Sequence, residues 1–358
     1  MLKATIKRSL PGFKLDVELS AGHDLLAILG PSGSGKTMTL QCIAGLCRPD
    51  EGYIELNGRV LFDSFKGVNV PPGKRKIGFV FQNYALFPHL SVVDNIAYGI
   101  RSLPSAEVAD KVRGLLDLLH LGQLGDRLPR QLSAGQQQRV AIARALAPDP
   151  EVIILDEPFS ALDTQLRERL ELELLALFST FKGSMLLVTH DLIEGYRLGS
   201  QIAVFQSGGI IQQGPKEEVF GTPVNRAVAR LTGVRNQMEG EVARVLNGNA
   251  EVYIPAWDTH VKACGHRLPV SVGQRVVLGI RPEFIELTEQ AGENVFSASI
   301  LQAVDSIADI SCRFILKQDT ERRHPLSATI AKGQTRDLHE GDDCLLRLPP
   351  EQLILMNQ

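Results

Sequence analysis

Over the first 230 residues, short wholly apolar runs alternate with longer stretches in which apolar residues recur every three or four positions. The runs Leu25–Leu29, Val152–Leu155, Met185–Val188 and Ile202–Phe205 have no polar face, and this predicts strands buried on both sides. Between the second and third runs, Leu166, Leu170, Leu174, Leu177 and Phe181 fall on one face of a helix over Thr164 to Phe181. Ser207-Gly208-Gly209, set between two short apolar runs, predicts a hairpin turn. Strands separated by amphipathic helices imply a parallel sheet flanked by helices, hence an α/β domain over residues 1–233. After Gly233 the texture changes to short β-branched stretches broken by Gly, Pro, Asn and Asp, which predicts a small all-β domain over 234–358. Within it, Gly273–Leu287 aligns without gaps on Gly341–Leu355, and Asn236–Val245 echoes Asn294–Ala303 at a different offset. An internal duplication is expected, with halves near 234–290 and 291–358 whose loops differ in length.

The chain's 358 residues are too many for one small module, and 44% hydrophobic against 22% charged residues, with a mean hydropathy of +0.00, describe a folded chain. No apolar run approaches the ~18 residues of a membrane helix, and the first residues lack the apolar core of a signal peptide, so the expected location is cytoplasmic. Lys+Arg 38 against Asp+Glu 41 leaves a net charge of −3, which excludes a basic nucleic-acid platform. The five cysteines are scattered, without metal-site spacing, and read as reduced thiols.

Chemistry enters with Gly30-Pro31-Ser32-Gly33-Ser34-Gly35-Lys36-Thr37, which follows one expected strand and opens an expected helix. Its glycines let consecutive amides turn inward on phosphate, and the helix N-terminus adds positive partial charge. Lys36 would reach the β and γ phosphates, the Thr37 hydroxyl would ligate Mg²⁺, and Met38 continues the nucleotide-lining stretch. The run Val152–Leu155 then ends in Asp156 and Glu157, which assigns Asp156 to the Mg²⁺ shell and Glu157 to the attacking water as general base. Between them, Ser133-Ala134-Gly135-Gln136 opens a further helix and offers a second anion site.

In these motifs and their order the chain resembles the nucleotide-binding subunits of ATP-binding cassette (ABC) transporters, over essentially its full length. The resemblance implies a homodimer that traps two ATP molecules, each between the Gly30–Thr37 loop of one copy and Ser133–Gln136 of the other. It assigns Gln82 to Mg²⁺ and the water, His190 to the γ-phosphate, Asp163 to the dimer interface and Phe13 to the adenine. One departure stands out: Ala134 occupies a position where the family usually has Gly, and a positive φ there would strain the contact.

A subunit without membrane segments implies two integral membrane permease subunits, expected to dock near Gln82 to Leu90, on the cytoplasmic face of the cell membrane. The appended β domain resembles the barrel (TOBE or Mop type) of importers, and the chain looks most similar to molybdate or tungstate import subunits. Sulfate or thiosulfate is the next reading, then iron(III) or polyamines. An external oxyanion-binding protein would act indirectly. Finally, the tail resembles small domains that hold a tetrahedral anion between protomers, which points to Ser327, Ala328 and Lys332 as the lining of a regulatory pocket.

Overall fold

The computed structural model describes every residue except 161, 247, 266–268, 320, 322, 333–337 and 358. The chain divides into two compact units, Met1–Lys216 and Glu217–Gln358. The division falls ahead of the change in sequence texture at residue 234, because the helix Arg226–Leu231 packs with the second unit. Ala229 and Val234 share a small core with Val277 and Met356, and Arg281 donates to the carbonyls of Phe220 and Thr232.

The first unit holds two sheets. Leu2–Leu10 and Phe13–Ala21 alternate buried and exposed residues, as a sheet with one wet face requires, and pair antiparallel. With Glu51–Leu56, Arg59–Asp63 and Val68–Asn69 they make a five-stranded antiparallel sheet. The second sheet has the order 209–215, 201–206, 25–29, 184–188, 152–156, 77–80, parallel except for the hairpin formed by its first two strands. Every residue of Leu25–Leu29, Val152–Asp156 and Ser184–Val188 is buried, as expected of strands covered on both faces. The hairpin turn is where the sequence puts it: Ser207 (φ 48°) and Gly208 (φ 86°) are both left-handed, the geometry that matches strand twist. Gly208 is confined as well, since a Cβ there would lie 1.9 Å from the Lys14 carbonyl oxygen, and its amide donates to the carbonyl of Ser34.

The long helix spans Thr164–Thr180. Its buried stripe is Leu170, Leu174 and Phe178, joined by Glu171, whereas Phe181 has already left the helix in an extended conformation. A four-residue step from Leu174 reaches Phe178; the heptad step to Phe181 does not.

The second unit contains two five-stranded antiparallel sheets. One has the order 259–263, 249–254, 236–246, 275–280, 354–357; the other, 326–331, 309–316, 295–305, 343–347, 286–288. Each sheet takes its first four strands from one half of the unit and its edge strand from the other half. The aligned segments occupy equivalent places in detail. Bulges fall after Val242 and Ile300, whose carbonyls accept from the amides of Gly273 and Gly341. Asn236 bonds the backbone N–H and carbonyl of Ser327 and the carbonyl of Ile280; Asn294 does the same with Lys262 and Leu348. Trp257, Phe314 and other buried residues from both halves form one core.

Candidate functional site

Parallel strands present their C-terminal ends on one edge, where loops and helix N-termini converge. On that edge Leu25–Leu29 runs into the Gly30–Thr37 loop, Ile77–Val80 leads to Gln82, Val152–Asp156 ends at Glu157, and Ser184–Val188 leads to His190. Residues spread over 160 positions of sequence thereby meet.

The loop is built around Gly35, which caps the helix Lys36–Ala44 at φ 103°. A Cβ at Gly35 would meet Leu15 Cδ1 at 2.6 Å and the Phe13 ring at 3.1 Å, so strand residues press the loop from below. Phe13 itself is half-buried against this point. Lys36 Nζ donates to the carbonyls of Gly30 (2.8 Å) and Pro31 (2.9 Å), folded back across the mouth of its own loop. Burial lowers the Lys36 pKa, opposed by the charges of Glu157 and Asp156. The Thr37 hydroxyl donates to Asp156 Oδ1 at 3.0 Å. Burial raises the Asp156 pKa, with the Thr37 hydrogen bond opposing and the Glu157 charge reinforcing. A hydroxyl and a carboxylate at this separation are hard oxygen donors that fit a shared Mg²⁺ completed by phosphate and water oxygens.

Glu157 has φ 47°, unusual for a side-chain-bearing residue, and is pinned by its amide on the Val188 carbonyl and by the Ser160 hydroxyl on its own carbonyl. Its carboxylate accepts from Gln82 Nε2 at 3.0 Å and lies 3.4 Å from His190 Nδ1. Of the four residues expected to act in catalysis, Gln82 and His190 therefore each meet Glu157, and Lys36 lies close enough to Glu157 to feel its charge. The turn bearing His190 is braced: Thr189 is buried and donates its hydroxyl to buried Glu194 at 2.8 Å.

Ser133 caps the helix Ala134–Leu146, its hydroxyl accepting from the Gln136 amide while the Gln136 side chain accepts from the Ser133 amide. Ala134 is the first helical residue and is absent from the left-handed positions, so the strain foreseen for a β-carbon there does not arise. Buried Gly135 packs against Leu166, where a Cβ would come within 2.9 Å. Asp163, exposed, caps the helix Thr164–Thr180.

Beyond Gln82, the loop to Leu90 is held by side chains with no sequence signal. Asn95 is fully buried and donates to the carbonyls of Phe87, Leu90 and Ser91 while accepting from the Phe87 amide. Arg144 donates to the carbonyls of Tyr84 and Ala85, both left-handed, and lies over the Phe87 ring, which stacks on Tyr98. Leu86 and Phe87 are half-buried. Nothing in Ser91-Val92-Val93-Asp94-Asn95-Ile96 sets buried Asn95 apart from its exposed neighbour Asp94.

The tail residues do not gather. Ala328 points into the core, Ser327 has its amide and carbonyl taken by Asn236, and Lys332 pairs with Asp305 at 2.7 Å. Ser327 and Lys332 sit at opposite ends of the strand Leu326–Ala331, about 17 Å apart at ~3.3 Å per residue. Within one chain the two side chains stand apart, so a pocket using both would draw them from different protomers, the arrangement that the resemblance implies.

The family described as "ABC transporter" matches residues 14–160. A molybdate/tungstate import ATP-binding protein of Thermococcus kodakarensis is 41% identical over 80% of this chain and 83% of its own length. The chain belongs to the ATP-binding subunits of ABC importers. This import ATPase is also similar to a sulfate/thiosulfate import ATP-binding protein of Mycobacterium tuberculosis (43% identical, 77% of this chain and 78% of that one) and to a spermidine/putrescine import ATP-binding protein of Ruegeria pomeroyi (37%, 91% and 87%). Among solved structures, an ATP-binding cassette bound to ADP and Pi, dimeric in a post-hydrolysis state, aligns with TM-score 0.51 and 29% identity over 60% of this chain and 98% of that one. No helix among the described residues of the import ATPase is long and apolar enough to cross a membrane.

Proposed function

We propose that this subunit powers the import of a tetrahedral oxyanion, molybdate or tungstate, with sulfate or thiosulfate as the second reading. It works as a homodimer under two membrane permease subunits that seat near Gln82–Leu90, peripheral to the cytoplasmic face of the membrane. The hydrolytic half of the proposal rests on the contact between Gln82, Glu157 and His190 beside the Thr37–Asp156 pair. The cargo half rests on the likeness to the molybdate/tungstate import protein (41% identical over 80% of this chain), which sulfate/thiosulfate and polyamine import proteins equal in identity (43% and 42%) over slightly less of it.

The Gly30–Thr37 amides cradle the phosphates, and Lys36 exchanges its two carbonyl partners for phosphate oxygens. Mg²⁺, held by Thr37, Asp156 through water, and Gln82, would neutralise charge building on the phosphates. Glu157 takes the proton of the attacking water, with Gln82 fixing the water and the carboxylate at once. His190 donates to the γ-phosphate oxygens. Ser133, Ala134, Gly135 and Gln136 of the second copy close over the same nucleotide, with Asp163 at the seam and Phe13 against the adenine.

Glu157→Gln keeps the hydrogen bonding of the site and removes the base, so turnover falls on the order of 10²- to 10⁴-fold while ATP still binds. Uptake of labelled molybdate, sulfate and spermidine in cells whose sole copy carries Lys36→Ala tests the cargo. Loss of molybdate uptake alone supports the proposal; loss of either of the others alone replaces it.

A further inference from the structure

We propose that Arg167 is a positioning residue that sets the His190 turn relative to the Leu162–Asp163 turn, so that the γ-phosphate contact and the dimer seam are placed together. This rests on the reading of His190 and Asp163 given above. Arg167 lies in the first turn of the helix Thr164–Thr180. Its backbone amide bonds to the Asp163 carbonyl, its Nη2 donates to the Leu162 carbonyl at 3.3 Å, and its Nη1 donates to Asp191 Oδ2 at 3.3 Å. One planar group thus spans two turns that belong to different strands of the parallel sheet.

Asp191 is the residue next to His190, and its other oxygen is already committed. Oδ1 caps the helix Leu192–Leu198 by accepting from the amides of Ile193 (2.8 Å) and Glu194 (3.2 Å). The Asp191 amide donates to the Thr189 hydroxyl at 2.9 Å, and that hydroxyl donates to Glu194. His190, with a side chain 60% exposed, therefore has a fixed neighbour on either side, and the tether from the Asp163 helix enters through Asp191. A lateral shift of Asp191 would move the imidazole from its place 3.4 Å from Glu157.

The bridge is a poor stability device. Its two side chains are 29% and 33% exposed, a setting in which ion pairs contribute little, and the guanidinium Nε is buried without a hydrogen-bond partner among the described residues. An arrangement that stabilises weakly yet fixes two site turns acts through geometry. Misplacing a reacting group by an ångström or less costs rate and leaves ground-state binding largely intact.

Steady-state ATP hydrolysis by the full-length chain is compared for Arg167→Met, Arg167→Lys, His190→Ala and the double variant Arg167→Met/His190→Ala, with ATP binding measured for each. The expected result is a fall in kcat on the order of ten-fold for Arg167→Met with KM within about two-fold, an intermediate value for Arg167→Lys, and a double variant no slower than His190→Ala alone. Wild-type kcat in Arg167→Met, lost ATP binding in both Arg167 variants, or a full multiplication of the two single effects in the double variant overturns the proposal. Wild-type kcat in His190→Ala overturns the reading of His190 by itself, and the proposal with it.

Discussion

Replacing Arg75 by Met removes a charge that lies far from the phosphates yet holds their helix in place. The Arg75 guanidinium is wholly buried, with no carboxylate paired to it among the described residues. It donates to the carbonyls of Val70 (2.7 Å), Cys42 (2.9 Å) and Ile43 (2.7 Å) and to Asn69 Oδ1 (3.0 Å). Cys42 and Ile43 belong to the last turn of the helix Lys36–Ala44, whose first residues are Lys36 and Thr37, so a cation caps the negative end of the phosphate helix. Gly45 leaves the room: a Cβ there would fall 2.5 Å from Arg75 Nε. Methionine keeps the apolar stem but strands four acceptors. Set against the recovered desolvation of the guanidinium, the net loss is about 3–5 kcal/mol. In a unit of this size that is a fall in Tm of roughly 10 °C. Calorimetry of the full chain with and without ATP identifies the relevant transition as the one that ATP raises. If that transition moves by less than about 2 °C in Arg75→Met, the capping argument is wrong.

Burial raises the Glu194 pKa to about 8, against the hydrogen bond from Thr189 and with the negative charge of Glu171 adding to the rise. The stability carried by its neutral form is fully present below about pH 4.5 and lost as pH rises through about 8; Glu194→Gln should therefore melt higher than the parent at pH 8.5 and show no such advantage at pH 5. Because Ala134 is an ordinary first helical residue, Ala134→Gly relieves no strain, and ATPase assays should find kcat unchanged or lowered, never raised several-fold. Asn236→Ala and Asn294→Ala each strand backbone groups of two segments, so each should cost about 2–3 kcal/mol, read as matching shifts in urea midpoint of the second unit; unequal shifts would show that the two contacts are not equivalent.

The nucleotide loop, the strand-end acids and the parallel strands were legible because each is a local pattern: an apolar run, a glycine spacing, a pair of acids after a strand. Gln82 and His190 were found through family likeness, and the sheet order explains why they meet Glu157, which no local pattern could. Arg75, Asn95, Arg144 and Arg167 escaped notice for one physical reason. None has partners that a sequence pattern names: Arg75, Asn95 and Arg144 chiefly satisfy backbone carbonyls, and Arg167 meets the Asp191 carboxylate, 24 positions away, only once the sheet has formed. Arg75 reads in sequence as one member of the exposed-looking run Gly73-Lys74-Arg75-Lys76, yet it alone of the three cations is buried. The likeness between the two halves of the tail shows in sequence as two alignments at different offsets, but the exchange of edge strands does not, since register across halves leaves no trace in either half.

That exchange bears on how the chain is made. The strand Arg275–Ile280 pairs along one side with Asn236–Leu246, which leaves the ribosome earlier, and along the other with Ile354–Asn357, which leaves later, after the whole of the second half's other strands. The leading half of the tail therefore emerges with an open sheet edge bearing Val277 and Leu278, and keeps it until Ile354–Asn357 has been made. During that interval the nascent subunit is exposed to pairing with a neighbour on the same polysome, which makes the timing of synthesis part of how this tail avoids aggregation.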